Sequence, residues 1–207
     1  MILLSLLLAC GPKVPPEGST ELDVGVSGVG PVSEAPAPDG SIGPVEMPSA
    51  DAPLPLGTAL PFEGAPKTAA QQAFVDGEAI LQEMHAAAAP KSPADSQRLA
   101  IEATEQAEAA IALFETASAE AELSLPSAAR AGDAWRLAAE ATRRTQPPIH
   151  VPPEGEVPFR AEVAAIAAEL EAKAFDSYHV VLVSRVVDER WKAHARWAVA
   201  QLPEPPE

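Results

Sequence analysis

The residues of this chain that could take part in catalysis or metal binding are few and scattered. Asp176 and His179 lie one turn apart on a predicted helix, the minimum spacing for two metal ligands, but no second ligand pair accompanies them. Glu102, Glu105 and Glu108 follow helical spacing, which is typical of a solvated face. Neither a G-x-S-x-G nor an H-E-x-x-H motif is present. We therefore predict no enzyme, no cofactor, no metal site and no small-molecule substrate.

Cys10 is the only cysteine, so the sequence excludes an internal disulfide and a multi-cysteine zinc site. It follows an apolar run, Ile2 to Leu8, that is shorter than the roughly 20 residues needed to span a bilayer. A short apolar core that ends in small residues at a cleavage point is typical of a secretory signal peptide. The alternative is an apolar N-terminal tail that carries a cysteine by chance.

The segment Leu7–Cys10 resembles the lipobox of bacterial lipoproteins, in which a branched apolar residue and a small residue precede the cysteine. The resemblance implies that residues 1–9 are a signal peptide and that Cys10 is acylated. More than one acyl chain is needed for stable membrane anchoring. Gly11 stands where some lipoproteins of the inner membrane carry aspartate, so the resemblance implies an outer-membrane anchor with the protein facing the periplasm.

Residues 10–66 are predicted to form a disordered tether after the signal peptide. The part from residue 11 onward carries 12 of the chain's 23 prolines, and Phe62 is its only aromatic residue. Such a segment cannot bury enough apolar surface to offset the entropy lost on ordering. The whole chain has a net charge of -16, which excludes nonspecific nucleic-acid binding and leaves membrane attachment to a covalent lipid.

Residues 67–207 are rich in alanine, glutamate, leucine and arginine, and they predict one all-α domain. The valine-rich run from His179 to Val183 favours a strand by composition, but one isolated strand would have no partner, so we predict helix there. Short connections predict antiparallel helical hairpins. From apolar spacing and capping residues, we expect helices near 68–89, 93–123, 126–145, 158–183 and 188–202.

Two segments of this domain resemble tetratricopeptide repeats. Ala131–Trp135 resembles the first helix of such a repeat, and Ala174–Val181 resembles the second. In that family a small residue lets the paired helix approach, and an aromatic residue fills the groove beside it. The resemblance implies a degenerate repeat pair, and a generic helical bundle is the alternative.

The last helix supplies the candidate partner-binding residues. Trp191 lies on its apolar stripe and is predicted to be buried, whereas Trp197 lies off that stripe, close to His194 and Arg196. Tryptophan and arginine are common anchors of interfaces. We therefore expect a lipid-anchored envelope protein whose helical domain serves as an interaction or scaffold module for another envelope protein. The alternatives are a structural spacer without a discrete partner and an enzyme of unrecognised type.

Overall fold

A computed structural model describes residues 53–57 and 59–203, and within these ranges the chain is all-helical, without strands. The expected all-α class is therefore confirmed. Cys10, the expected signal peptide and the expected tether up to residue 52 lie outside the described residues. The five helices are α1 Ala69–Ala86, α2 Pro93–Ala117, α3 Ala121–Arg143, α4 Pro153–Val183 and α5 Glu189–Gln201.

Local capping signals account for the starts of three helices. Thr68 Oγ1 accepts a hydrogen bond from the Gln71 backbone N–H at the start of α1. Ser92 does the same for α2, where Pro93 occupies the first helical position. The Asp188 carboxylate caps α5. These side chains satisfy backbone N–H groups that have no partner within the helix, so the predicted starts are correct to within a residue.

The other two helices begin five residues earlier than predicted, because Pro126 and Pro158 lie inside α3 and α4 rather than at their starts. Burial of Leu123 explains the additional turn of α3, since that turn packs into the core. The additional turn of α4 begins at Pro153, which takes the first helical position that proline favours. The proline at the start of α4 is therefore Pro153 and not Pro158, which the sequence had predicted.

The helices form two successive hairpins, α1–α2 and α3–α4, that share one type of contact. A Cβ atom added to Gly77 of α1 would lie 2.7 Å from the ring of Phe114 in α2. One added to Gly132 of α3 would lie 2.5 Å from the ring of Tyr178 in α4. Each hairpin therefore closes where an aromatic ring lies directly on a glycine. Helix α3 is central, because it contacts all four other helices.

The core contains an aromatic centre to which three helices contribute. The ring of Phe74 meets the ring of Phe114 edge-on at 5.5 Å and that of Trp191 at 6.5 Å. Trp191 is completely buried, as its position on the apolar stripe predicts. Around this centre the core is mostly alanine, which permits close helix packing. In the described part of the chain, no helix has the length and apolar character needed to cross a membrane.

Residues 53–57, here called the strap, contact the helices although the sequence assigns them to the tether. The side chain of Leu54 is buried, and so is that of Ala59 just after the strap. Proline and glycine content predicted disorder up to residue 66, but composition does not report contacts with residues far along the chain. The unit that packs around the core therefore includes the strap.

Candidate functional site

Five polar side chains from four helices meet beneath the strap, and each of these residues is at most 2 % exposed. We call this group the polar cluster. Burial of so many ionisable groups is unusual, since charged residues are rarely buried without partners. The members are Glu78 of α1, Arg130 and Asp133 of α3, Tyr178 of α4 and His194 of α5.

Arg130 lies at the centre of the cluster and pairs with both buried carboxylates. Its Nε donates to Glu78, and its Nη1 donates to Asp133 Oδ2 at 2.8 Å. The guanidinium also lies over the Trp191 ring, 5.1 Å from the centroid. A planar guanidinium has five fixed N–H donors, which suits it to bridging several acceptors at once.

Asp133 is held ionised by its neighbours. It accepts hydrogen bonds from the Tyr178 hydroxyl at 2.7 Å and from His194 Nε2 at 3.0 Å, in addition to the bond from Arg130. Burial alone would raise the pKa of Asp133, but the donors and positive charge beside it hold that pKa well below its usual range. Burial and the adjacent carboxylate raise the pKa of Tyr178, so its hydroxyl stays a donor.

Glu78 behaves differently from Asp133. Burial raises the pKa of Glu78 above its ordinary value, and Arg130 and the backbone N–H of Gly57 oppose that shift only in part. Two buried carboxylates therefore share one guanidinium, and their pKa values move in opposite directions. The difference arises because Asp133 receives donors from three side chains, whereas among the described residues Arg130 is the only side chain that donates to Glu78.

The cluster binds the strap through main-chain groups. His194 Nδ1 accepts from the Leu54 N–H at 3.1 Å, so the proton on the ring is assigned to Nε2, which faces Asp133. Arg130 donates through Nη1 to the Leu54 carbonyl at 3.1 Å and through Nη2 to the Pro55 carbonyl at 3.0 Å. The Gly57 N–H donates to Glu78, and Gly57 has a φ of 73°, which favours glycine.

A cavity of about 390 Å³ lies between the strap and the helices. Members of the cluster, the strap and α5 border it, including Arg130, His194 and Trp197. The Trp197 ring stacks on His194 at 6.0 Å, and the Arg136 guanidinium lies 5.8 Å from its centroid. The strap thus forms one wall of a partly aromatic groove without filling it.

In this conformation His194 is not placed to act as a general base. In an Asp–His pair the free ring nitrogen takes a proton from a nucleophile, but here Nδ1 of His194 is occupied by the Leu54 N–H. None of the five cluster side chains has a buried polar atom without a partner. Within residues 53–57 and 59–203, no group of three or more histidines, cysteines or acids could hold a metal ion.

The structure separates the three candidate contact residues of α5. His194 is buried in the polar cluster, so it is not a surface contact in this conformation. Trp197 is half-buried at the cavity, whereas Arg196 is exposed and pairs with Glu189 at 3.4 Å. Asp176 and His179 are exposed on α4. Only His194 and Trp197 therefore lie at the same site.

Sequence reasoning missed Glu78, Arg130, Asp133 and Tyr178 as members of one site. Arg130 and Asp133 are three residues apart, which on a sequence resembles an ordinary surface ion pair of a helix. A usable signal was present, because both residues lie in an alanine-rich stretch whose neighbours predict burial. A glycine also directly precedes each of the two acids, as Gly77-Glu78 and Gly132-Asp133.

A second feature lies at the C-terminal end of α4 and the turn that follows. Here five large apolar side chains are 39–79 % exposed, and we call them the apolar surface. Val180 and Val183 are neighbours on the helix face. Single exposed apolar residues are ordinary, whereas large contiguous apolar patches are rare on monomeric soluble proteins. The members are Phe175 at 39 %, Val180 at 56 %, Val183 at 62 %, Val186 at 57 % and Val187 at 79 %.

The comparisons with known proteins identify no relative of this chain. No protein-family model, no curated protein and no solved structure matches it.

Proposed function

We propose that this chain is a lipid-anchored protein of the bacterial cell envelope whose helical domain binds another protein. The observation that carries the binding role is the apolar surface at the end of α4, where Val180, Val183 and Val187 are each more than half exposed. Burial of apolar surface is the dominant favourable term in most protein–protein association. The net charge of -16 disfavours an anionic membrane as the partner of this surface.

The anchor is proposed from the lipobox-like segment that ends at Cys10. Acylation there would hold the protein at the outer membrane, facing the periplasm, and residues 11–52 would link the anchor to the strap. The intact mass of the N-terminal peptide from native membranes tests this part. We expect a peptide that begins at Cys10 and carries acyl mass. An unmodified peptide that retains Met1 would contradict the anchor.

The domain is proposed to be a divergent pair of helical repeats. Support comes from the glycine–aromatic contact that recurs in both hairpins, Gly77 with Phe114 and Gly132 with Tyr178. The spacing around each aromatic ring also recurs, and all six residues are buried: Ala110, Phe114 and Ala117 in α2, and Ala174, Tyr178 and Val181 in α4. Stacked hairpins of this kind present extended surfaces that suit protein ligands.

Photo-crosslinking in the native membrane tests the binding role. A photoreactive residue is placed at Val187 of the full-length chain, and the matched control carries it at Ile149, which is 81 % exposed before the opposite end of α4. We expect a discrete adduct with a second protein from Val187 and not from Ile149. Equal labelling from both positions, or adducts only between copies of this chain, would contradict the proposal. The second result would favour a structural spacer.

A further inference from the structure

The polar cluster recognises the strap mainly through its main chain. Of the four hydrogen bonds, two come from strap N–H groups and two go to strap carbonyls, and the ring of His194 and the guanidinium of Arg130 make three of them. Only one strap side chain, that of Leu54, is buried, while Pro53 and Pro55 remain exposed. A site built in this way can accept another segment that presents N–H groups, carbonyls and one apolar side chain at the same spacing and that can form the turn seen at Gly57.

The flanking prolines make the strap suited to such a site. Proline fixes φ near −65° and favours extended chain, so the segment loses little conformational entropy when it binds. Aromatic-lined grooves bind proline-rich segments for this reason, and the ring of Trp197 borders the cavity here. Neither Leu54 nor Gly57, the two residues whose N–H groups are bound, can be proline, because proline has no N–H.

The ion pairs and hydrogen bonds between the helices do not involve the strap. Arg130 still contacts Glu78 and Asp133, and Asp133 still accepts from His194 and Tyr178. The strap is therefore not needed to neutralise a buried charge. The cavity of about 390 Å³ shows in addition that the strap does not fill the groove. Both observations fit an occupant that can leave.

We propose that the groove lined by Arg130, His194 and Trp197 is a peptide-binding site that the strap occupies in cis. Its other occupant is a segment of a partner protein with a leucine between prolines and a glycine three residues after that leucine. The strap competes with this segment, because a tethered ligand has a high effective concentration. The site is separate from the apolar surface, so the inference does not depend on the proposed binding role of that surface.

Fluorescence anisotropy with a labelled peptide of residues 51–59 tests the proposal on the full-length chain. In the variant Leu54→Asp the strap loses its buried side chain and should leave the groove. We expect this variant to bind the peptide at least tenfold more tightly than the wild type, because the apparent affinity is reduced by the fraction of sites already occupied. The matched control is Pro53→Asp, which places the same charge on an exposed strap residue that has no hydrogen bond to the cluster.

A second variant keeps the proposal testable if Leu54→Asp does not fold. Gly57→Pro removes the N–H that donates to Glu78 and cannot keep the φ of 73°, so it should also release the strap without adding a charge. Helical circular dichroism confirms that each variant is folded. Tighter binding by both release variants, and none to a peptide that itself carries Leu54→Asp, supports the proposal. Equal affinity for wild type and release variants, or no binding by any folded variant, would overturn it.

Discussion

The polar cluster and the apolar surface reverse the usual arrangement of a folded chain. Arg130 and Asp133 are buried, while Val183 and Val187, about as apolar as any residues of the core, face solvent. Buried charges and exposed apolar groups are the two departures from ordinary burial that carry information about function. Both involve α4, because Tyr178 faces the cluster and Val180, two residues later, faces outward.

The inward and outward faces of α4 differ in how their side chains are held. The inward face of α4 is fixed by tight contact, since the ring of Tyr178 lies against Gly132 and its hydroxyl bonds to Asp133. The outward face near Val183 has no such partner among the described residues. Substitutions on the inward side should therefore change stability, and substitutions on the outward side should change binding.

The largest effect is expected for Arg130→Met. The variant leaves Glu78 and Asp133 buried without their shared cation, and breaking a buried ion pair in this way costs about 3–5 kcal/mol. The free energy of unfolding in urea measures the loss. Arg143→Met is the matched control, because Arg143 also lies on α3 and pairs with Glu171, but it is half-exposed. Its loss should stay below about 1 kcal/mol. Equal losses of unfolding free energy in the two variants would show that the buried cluster stabilises the fold no more than an exposed ion pair does.

A smaller effect should appear in the pH dependence of stability. The pKa of Glu78 is raised on folding, so between its unfolded value near 4.5 and its folded value the native state holds a proton that the unfolded state releases. Stability from this group is therefore present below pH 4.5 and falls as the pH rises through the raised pKa. The free energy of unfolding of the wild type, relative to Glu78→Gln, should decrease as the pH rises from 4.5.

Asp133→Asn supplies the control of opposite sign. The pKa of Asp133 is lowered on folding, so its contribution is present above pH 3.8 and is lost as the pH falls toward the folded value. Relative to Asp133→Asn, the wild type should gain stability as the pH rises toward and through 3.8. If both differences changed in the same direction, the opposite environments assigned to the two carboxylates would be wrong.

The features that depend on neighbouring residues were predicted correctly from the sequence. Thr68, Ser92 and Asp188 cap helices as expected, and Trp191 is buried as its stripe indicates, because each signal acts within a few residues. The polar cluster was not predicted, since Arg130 and His194 come from distant parts of the chain and meet only when the helices pack. The strap was missed for the same reason, because Leu54 is bound by His194, which follows it by 140 residues in the sequence.

The binding role of the apolar surface is tested most directly by substitutions on the outward face of α4. The double variant Val180→Lys/Val183→Lys adds charge to the apolar surface, and a cation near a helix C-terminus is favourable for the helix. We predict that crosslinking from position 187 falls at least several-fold, while the free energy of unfolding changes by no more than about 0.5 kcal/mol. Unchanged crosslinking would contradict a role of this surface in binding. A loss of several kcal/mol would instead show that these valines belong to the core.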